Sequence, residues 1–390
     1  MSPALRITTA EELVRALQLL SNSDFVAIDT EFMRERTYYA TLCLIQAATP
    51  DVCVIIDPLA VTDLSPLWQF LADRKRLKVL HSARQDLEVL SQAMSLHAST
   101  RTEGGAATAD IIPGPVFDTQ IAAALLGAAA QVGYATVVAE RLGITLAKGQ
   151  TRTDWSQRPL TPEQVDYAAD DVRYLVPLYT NLRDALETRG RLHWQQEEAL
   201  KLEDASLYRI EPAEAWRRLK GLDRLQPQQR ATARLLAAWR ESRAMLKDKP
   251  RGWILTDESL RDIAERLPGK REDLDTIRDL SANFRRKRSE EILAIVAQGR
   301  TNGALERDAV MPARPEPQQL ARATRLLALV REEAARSNIA PELLATRRDI
   351  EQLVFGGRSD HLLRGWRREI IGERIVKAAS DDAPIATAQS

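Results

Sequence analysis

Residues 25–32 read FVAIDTEF, an apolar run that ends in two carboxylates. Residues two apart in a β-strand point to the same face, so Asp29 and Glu31 are expected to project together from the end of a strand. Two carboxylates on a core strand repel each other, and burying them without a counter-ion is costly. A divalent cation that prefers oxygen ligands, such as Mg²⁺ or Mn²⁺, removes that cost. The alternative is an acidic strand end that faces solvent, and this stretch alone does not exclude it.

A second stretch, VLHSARQDLEVL at residues 79–90, predicts a strand followed directly by a helix. Asp86 is one turn into that helix, and it can reach toward Asp29 if the two strands are neighbours. An ordinary aspartate in the first turn, where the helix dipole favours negative charge, explains the same residue. His81 follows the apolar strand and is interpreted as a structural residue rather than a catalytic base.

The third stretch is DYAADDVRYLVPL at residues 166–178. Tyr167 and Asp171 are four residues apart, which places them on one face of a helix with their Cβ atoms about 5–6 Å apart. That arrangement can hold an acidic metal ligand and a phenol on either side of one water molecule. Asp170 points about 100° away around the helix and is not expected to be a ligand. The alternative is an amphipathic helix with a tyrosine in its buried stripe.

The segments around these stretches predict a mixed α/β domain at residues 1–207. Three early strands have short connections, which favour an antiparallel meander. A small, polar, glycine-rich stretch at residues 97–114 is interpreted as a mobile surface insertion. The predicted elements are a helix at 9–20, strands at 25–32, 41–48 and 52–57, a helix at 65–73, a strand at 77–82, and helices at 84–94, 118–127, 134–142, 161–188 and 193–204.

The 390 residues include 55 basic and 55 acidic side chains, yet the charge is unevenly distributed. Residues 1–207 carry a net charge of −8, and residues 208–300 carry +7. An acidic N-terminal part followed by a basic part suits a protein that binds divalent metal in one domain and a polyanion in the next. Residues 208–300 and 318–378 are both predicted to be small all-α domains, with a linker at 301–317 and a frayed tail at 379–390.

Composition argues against several classes of protein. Apolar and charged fractions of 44% and 28% are ordinary for a globular protein and do not indicate wholesale disorder. No apolar run approaches the roughly 20 residues of a membrane helix, and the N-terminus lacks a secretory signal pattern. Cys43 and Cys53 are too few for a disulfide framework, and with four scattered histidines they form no zinc motif. We therefore expect a protein of the cytoplasm that does not contact the membrane.

The chain resembles the DEDD superfamily of 3′→5′ exonucleases, tyrosine subclass, whose three motifs correspond in order to Asp29-Thr-Glu31, Asp86 and Tyr167-x3-Asp171. The surrounding sequence looks like the ribonuclease D family, in stretches that include DTEFMRERTYYATLCLIQ, FDTQIAAALLG and QTRTDWSQRPLT. Residues 208–300 resemble an HRDC domain, and residues 318–378 resemble a second, divergent copy. The insertion at 97–114 is longer than this pattern leads us to expect.

The resemblance implies an RNase H-like α/β exonuclease domain, with a mixed sheet and flanking helices, followed by two small all-α HRDC-type domains. It implies hydrolysis with two divalent metal ions, Mg²⁺ or Mn²⁺, and release of nucleoside 5′-monophosphates. Tyr167 is then the residue that orients the attacking water. The metal ligands implied by the resemblance are Asp29, Glu31, Asp86 and Asp171.

The implied partner is RNA with a free single-stranded 3′ end, such as a tRNA precursor, bound by a monomer. Base stacking and core packing are both open for three aromatic residues near the site, namely Phe32, Tyr38 and Tyr39. Phosphate contacts and a solvated charged surface are both open for two basic clusters, namely Arg217, Arg218 and Lys220, and Arg285, Arg286, Lys287 and Arg288. Three tryptophans of the basic domain, Trp216, Trp239 and Trp253, are expected in its core.

Two other functions stay open on the sequence. One is a DNA-directed 3′→5′ exonuclease with the same carboxylates, and the other is an RNA-binding protein whose nuclease domain is inactive. The five intact motif residues argue against loss of activity. Recognition of 2′-hydroxyls favours RNA over DNA. Comparing the rates at which RNA and DNA are degraded from their 3′ ends therefore distinguishes an exoribonuclease from a DNA-directed exonuclease.

Overall fold

The computed structural model describes residues 3–101, 111–147, 153–305, 316–355 and 359–381. The chain forms two compact units that do not follow one another along the sequence. The first unit contains Met1–Phe32, Leu42–Leu207 and Arg314–Ser390, and the second contains Met33–Thr41 and Tyr208–Ala313. Within the described ranges, no helix is long and apolar enough to cross a membrane.

The first unit contains a six-stranded sheet made of β1 (Leu5–Ile7), β2 (Phe25–Met33), β3 (Thr41–Ala48), β4 (Cys53–Ile56), β5 (Leu77–Leu80) and β6 (Val116–Asp118). The strand order is β1-β4-β3-β2-β5-β6. β3 and β4 pair antiparallel, whereas β1 pairs parallel with β4, and β5 pairs parallel with β2 and β6. The predicted mixed sheet is confirmed. The sequence does not predict β1 or β6, because three residues are too few for a periodic signal.

The helices of this unit up to residue 207 are α1 (Ala10–Leu20), α2 (Ser65–Ala72), α3 (Arg84–Arg101), α4 (Thr119–Ala124), α5 (Tyr134–Leu142), α6 (Pro162–Arg173), α7 (Leu175–Thr188) and α8 (Leu192–Leu202). Local sequence explains several of their ends. Thr9 and Glu12 form a reciprocal capping box at α1, and the Asp118 carboxylate accepts two amide hydrogen bonds at the start of α4. Gly143, at φ +70°, ends α5 in the left-handed region that glycine favours.

The helix α3 is longer than the sequence predicts. It continues to Arg101, so the expectation that the insertion is irregular from residue 97 is wrong for its first five residues. The imidazole of His97 lies 2.9 Å from the Ser65 hydroxyl and packs edge-on against Trp68, which holds this end of α3 on α2. The rest of the predicted insertion falls mostly at 102–110, outside the described residues.

The second unit contains α9 (Pro227–Lys247), α10 (Arg251–Ile254), α11 (Asp257–Arg266) and α12 (Ala282–Leu305), with short 3₁₀ turns between them. The helices α9 and α12 pack closely at Gly299, where a Cβ atom would lie 2.1 Å from the hydroxyl oxygen of Thr232. Trp216 and Trp239 pack against the apolar core, as expected. Trp253 is 63% exposed, so its expected place in the core is wrong. The four-residue helix α10 carries this ring on its outer side.

The remaining helices, α13 (Pro317–Ser337), α14 (Pro341–Leu344), α15 (Arg347–Val354), α16 (Gly365–Arg367) and α17 (Glu373–Asp381), belong to the first unit. The Trp366 ring stacks on Trp194 of α8 with a centroid separation of 4.8 Å. The backbone approaches α8 so closely at Gly365 that a Cβ atom there would lie 1.8 Å from a carboxylate oxygen of Glu197. This C-terminal segment is therefore packed onto the sheet-containing part of the unit, and the domain boundaries drawn along the sequence stay a prediction.

One buried ion pair joins the C-terminal segment to α8. The Glu198 carboxylate accepts hydrogen bonds from the guanidinium of Arg367 and, at 2.9 Å, from the indole of Trp366. Burial alone would raise the pKa of Glu198, but its bonds to Arg367 and Lys201 outweigh that effect and lower the pKa to about 2. Because the folded pKa lies below the ordinary value, this pair stabilises the fold above about pH 4.5 and loses its effect as the pH falls toward 2.

Glu198→Gln is expected to lower the free energy of unfolding of the first unit by about 3–5 kcal/mol at pH 7, because it leaves a buried guanidinium without its charge partner. Chemical denaturation followed by near-ultraviolet circular dichroism measures the change. The matched control is Asp360→Asn, which removes an exposed ion pair with Arg364 and is expected to cost less than about 1 kcal/mol. Equal losses in the two variants would contradict the structural role of the buried pair.

Candidate metal centre

Three carboxylates converge at the end of β2. Val26, Ala27 and Ile28 are fully buried and fix the strand in the core, and Asp29 and Glu31 follow on one face of it. The helix α6 brings Asp171 to the same place. The ligand oxygens of Asp29, Glu31 and Asp171 all lie within 4.8 Å of one another. All three side chains are partly accessible to solvent, so the cluster is open to a ligand.

Asp86 lies beside this cluster and is held by Thr30. The parallel pairing of β2 with β5 places the start of α3 next to the end of β2. The Thr30 hydroxyl donates a hydrogen bond of 2.5 Å to Asp86, which is 8% exposed. Thr30 lies between two predicted ligands in the sequence, where nothing local predicts a partner for its hydroxyl. It fixes the fourth carboxylate.

Burial and mutual repulsion act together on the four acids. Burial, followed by the charges of the neighbouring carboxylates, raises the pKa of Asp29 well above its usual value and that of Glu31 to about 8. Burial also raises the pKa of Asp171 to about 7, and that of Asp86 to about 6 against the opposing hydrogen bond from Thr30. Among the residues that the structure describes, no lysine, arginine or histidine forms an ion pair with any of the four. Oxygen donors without a counter-ion fit a hard divalent cation.

Tyr167 faces the cluster from α6. Its hydroxyl faces Asp171, one helical turn along, and acts to lower the pKa of that carboxyl against the larger effect of burial. Burial, followed by the charges of Asp171, Glu31 and Asp29, raises the pKa of this phenol, so it stays protonated at neutral pH. Asp170, by contrast, pairs with Arg173 at 3.1 Å and takes no part in the cluster.

The segment before α6 supports the Tyr167 ring. Trp155 lies against that ring with a centroid separation of 6.0 Å. Arg158 anchors the segment by donating two hydrogen bonds of 2.5 and 2.8 Å to Asp57 and a third to the carbonyl of Cys43. The phenol is therefore positioned by contacts that reach back to β3 and to the residue after β4. Arg158 is not predictable as a supporting residue from local sequence, because its partners are about a hundred residues away.

His81 has a structural role, as expected. Its two ring nitrogens lie 3.0 Å from the Thr119 hydroxyl and 3.0 Å from the Val132 carbonyl, and burial lowers its pKa.

The predicted stacking residues belong to two different units. Phe32 is half-buried at the end of β2 in the first unit, whereas Tyr38 and Tyr39 belong to the second unit. The Tyr38 phenol donates to the buried carboxylate of Glu241, and the amides of both tyrosines donate to Asp248 at 2.9 and 3.0 Å. These bonds tie the segment of residues 33–41 to α9. A contact of the three aromatic residues with RNA stays a prediction.

The predicted basic clusters are partly neutralised by neighbours. Arg217 and Arg218 pair with Glu214 and Glu241, while Arg285 and Arg288 pair with Asp275 and Glu291. The Arg286 guanidinium donates to the side-chain oxygen of Asn283. Lys220 and Lys287 have no carboxylate partner among the described residues, and Lys287 lines a cleft of the second unit.

Comparisons with known proteins identify both units. A family model described as a 3′-5′ exonuclease matches residues 5–187, and a model of the HRDC domain matches residues 229–296. A protein named ribonuclease D from Granulibacter bethesdensis is 37% identical over 380 residues, which cover 95% of this chain and 91% of that protein. Another ribonuclease D, from Gluconacetobacter diazotrophicus, is 38% identical over 377 residues, with the same coverage. The structure is similar, with a TM-score of 0.82, to the crystal structure of RNase D from Escherichia coli, which is described as an exoribonuclease involved in structured RNA processing. The two sequences are 32% identical, and the match covers 97% of this chain and 99% of that one.

Asp29→Asn is expected to raise the melting temperature of the protein in chelator, because it removes one of the mutually repelling carboxylates. A gain of about 1 kcal/mol corresponds to about 2–4 °C for a unit of this size. The same variant is expected to lose the rise in melting temperature that Mg²⁺ or Mn²⁺ gives the unaltered protein. Asp170→Asn, one residue from Asp171 but turned away from the cluster, should keep that response. An undiminished metal response in Asp29→Asn would show that the ion binds elsewhere.

Proposed function

This chain belongs to the ribonuclease D family, and we propose on that premise that its cluster of acidic side chains is the active centre of a metal-dependent 3′→5′ exoribonuclease. The observation that carries the proposal is the grouping of Asp29, Glu31 and Asp171 within 4.8 Å. A binding protein does not need three repelling carboxylates at the end of a core strand, whereas phosphodiester hydrolysis by a divalent metal does.

The four acids would hold divalent ions, two of them on this proposal, either Mg²⁺ or Mn²⁺. Asp29, Glu31 and Asp171 would hold the first ion, a role that the mutual proximity of their oxygens supports. Asp29 would also contribute to the second ion, with support from Asp86 in the position fixed by Thr30. When bound, the ions supply Lewis-acid stabilisation of the attacking and leaving oxygens and lower the pKa of water.

The phenol of Tyr167 positions the attacking water. Because its pKa is raised, the hydroxyl is a hydrogen-bond donor rather than a base, and it lies beside Asp171 at the edge of the cluster. The water oxygen loses a proton to solvent and forms a bond to the last phosphorus of the chain. The bond from that phosphorus to the 3′ oxygen of the preceding nucleotide breaks, and that oxygen takes up a proton from solvent. The products are a nucleoside 5′-monophosphate and an RNA one residue shorter with a free 3′ hydroxyl.

The substrate class is RNA with a single-stranded 3′ end. Structured RNA such as a tRNA precursor suits the combination of this centre with a basic HRDC domain, which supplies phosphate contacts more than sequence readout. One chain carries all of the proposed catalytic residues, so a monomer is sufficient. A DNA-directed exonuclease is the alternative within the same chemistry.

The first test is a time course on a 3′-extended, tRNA-like RNA labelled at its 5′ end, with Mg²⁺, with Mn²⁺ or with chelator. Stepwise shortening from the 3′ end is expected with metal only. Asp171→Ala is expected to lower the rate at least about 10³-fold, or roughly 4 kcal/mol of barrier, while RNA binding is kept. A DNA strand of the same sequence, run in parallel, should be degraded more slowly. Binding without shortening under every metal condition would leave an inactive RNA-binding protein.

Tyr167→Phe removes the hydroxyl and keeps the ring against Trp155. Its turnover is expected to fall about 10²-fold or more, the usual contribution of a positioned proton-transfer or water-orienting group, with little change in RNA affinity. The matched control is Tyr179→Phe, because Tyr179 packs between Phe25 and Phe117 and does not touch the carboxylates. Single-turnover kinetics at saturating protein measure both variants. Unchanged turnover in Tyr167→Phe would contradict the proposed role.

A further inference from the structure

The second unit contains a cleft with an aromatic and basic lining. Its volume is about 410 Å³, and it lies among the C-terminal end of α9, the helix α10 and the start of α12. Side chains that line it include Lys247, Lys249, Trp253, Phe284, Lys287 and Arg288. The volume is in the range of pockets that hold small ligands, about 300–1,000 Å³, so the cleft fits a nucleotide rather than a whole duplex.

Trp253 is the unusual residue of this cleft. The residue is 63% exposed, so its ring is largely uncovered, although tryptophan is mostly buried in folded proteins. The other wall is ordered: Phe284 packs edge-on against Trp239, and the Trp239 indole donates a hydrogen bond of 2.9 Å to Glu291. An exposed ring opposite a rigid aromatic wall is suited to a planar ligand.

The basic side chains around the Trp253 ring outnumber the carboxylates that pair with them. Glu291 is shared by Arg243 and Arg288, so one carboxylate orders two guanidinium groups. Lys247, Lys249 and Lys287 are exposed, and the described residues offer none of them a carboxylate within salt-bridge distance. The Lys249 ammonium is 5.8 Å from the centroid of the Trp253 ring. The positive charges of these lysines therefore have no carboxylate partner among the described residues, and they lie beside an open aromatic face.

We propose that this cleft binds a single-stranded stretch of RNA, with one unpaired base stacked on Trp253 and its flanking phosphates held by Lys249 and Lys287. The proposal deepens the proposed function, because it rests on RNA being the substrate. An acidic peptide would satisfy the lysines but would give the ring no planar partner, and a duplex would offer phosphates but no exposed base. Stacking on aromatic rings tolerates any base, so this contact adds affinity without sequence preference.

The test measures binding of a fluorescein-labelled oligouridylate of twelve residues to the full chain in chelator, where hydrolysis is blocked. Trp253→Ala is expected to weaken binding about 5- to 100-fold, the usual effect of one stacked base, and Trp253→Tyr is expected to restore most of it. The control is Leu246→Ala, which removes a neighbouring side chain that is 78% exposed and does not line the cleft. Lys249→Gln with Lys287→Gln should reduce the slope of log affinity against log salt by about 0.7 for each lost phosphate contact.

Two results would overturn the proposal. One is unchanged affinity in Trp253→Ala, and the other is equal competition by a blunt RNA duplex against the single strand. Photocrosslinking with 4-thiouridine gives a readout that does not depend on affinity, and it is expected to label the peptide that carries Trp253. The proposed function is tested separately. If the RNA is shortened in the presence of metal but its binding does not depend on Trp253, only the proposed role of the cleft is contradicted. Binding sensitive to Trp253 without any shortening would contradict the nuclease alone.

Discussion

The repulsion among carboxylates at the end of β2 is the constraint on which the site depends. Asp29 and Glu31 cannot both be ionised cheaply on a core strand, and Asp171 adds a third charge at less than 5 Å. The fold supplies no basic side chain to neutralise them in the part of the chain described. Instead, neutral hydroxyl groups face them: Thr30 donates to Asp86, and Tyr167 lies beside Asp171. The protein thereby keeps oxygen donors without a basic partner in a fixed geometry, which is what a divalent cation requires.

The rest of the first unit keeps that geometry rigid. Asp118 is buried and accepts the amides of Ser82 and Ala83 before α3, while it also caps α4. One carboxylate thus fixes the turns after both β5 and β6. On the opposite side, the bonds from Arg158 to Asp57 hold the segment that supports Tyr167. Each of these contacts joins residues that are far apart in the sequence.

Local signals in the sequence predicted much of the fold and grouped the candidate residues. The strand at 25–32 and the helices α1 and α5 were predictable because apolar periodicity and caps act within a few residues. The resemblance of the three ordered motifs to the exonuclease pattern linked Asp29, Glu31, Asp86 and Asp171 as one predicted set. Long-range packing was not predictable in the same way. The extension of α3 depends on a contact between His97 and Ser65, and the exposure of Trp253 depends on which side of a four-residue helix faces the core. Thr30 and Arg158 gained their roles only from partners elsewhere in the chain.

The discontinuous first unit has a consequence for the folding of the newly made protein. Glu198 and Trp194 find their partners at Arg367 and Trp366, more than 160 residues later, after the whole second unit has been synthesised. Contacts this distant are slow to form, and surfaces that wait for them are exposed in the meantime. At the ribosome, the sheet and its carboxylate cluster emerge long before α16 can cover α8. The nascent chain therefore passes through a stage in which the residues of the carboxylate cluster have all been made but the face of α8 that carries Trp194 is still open.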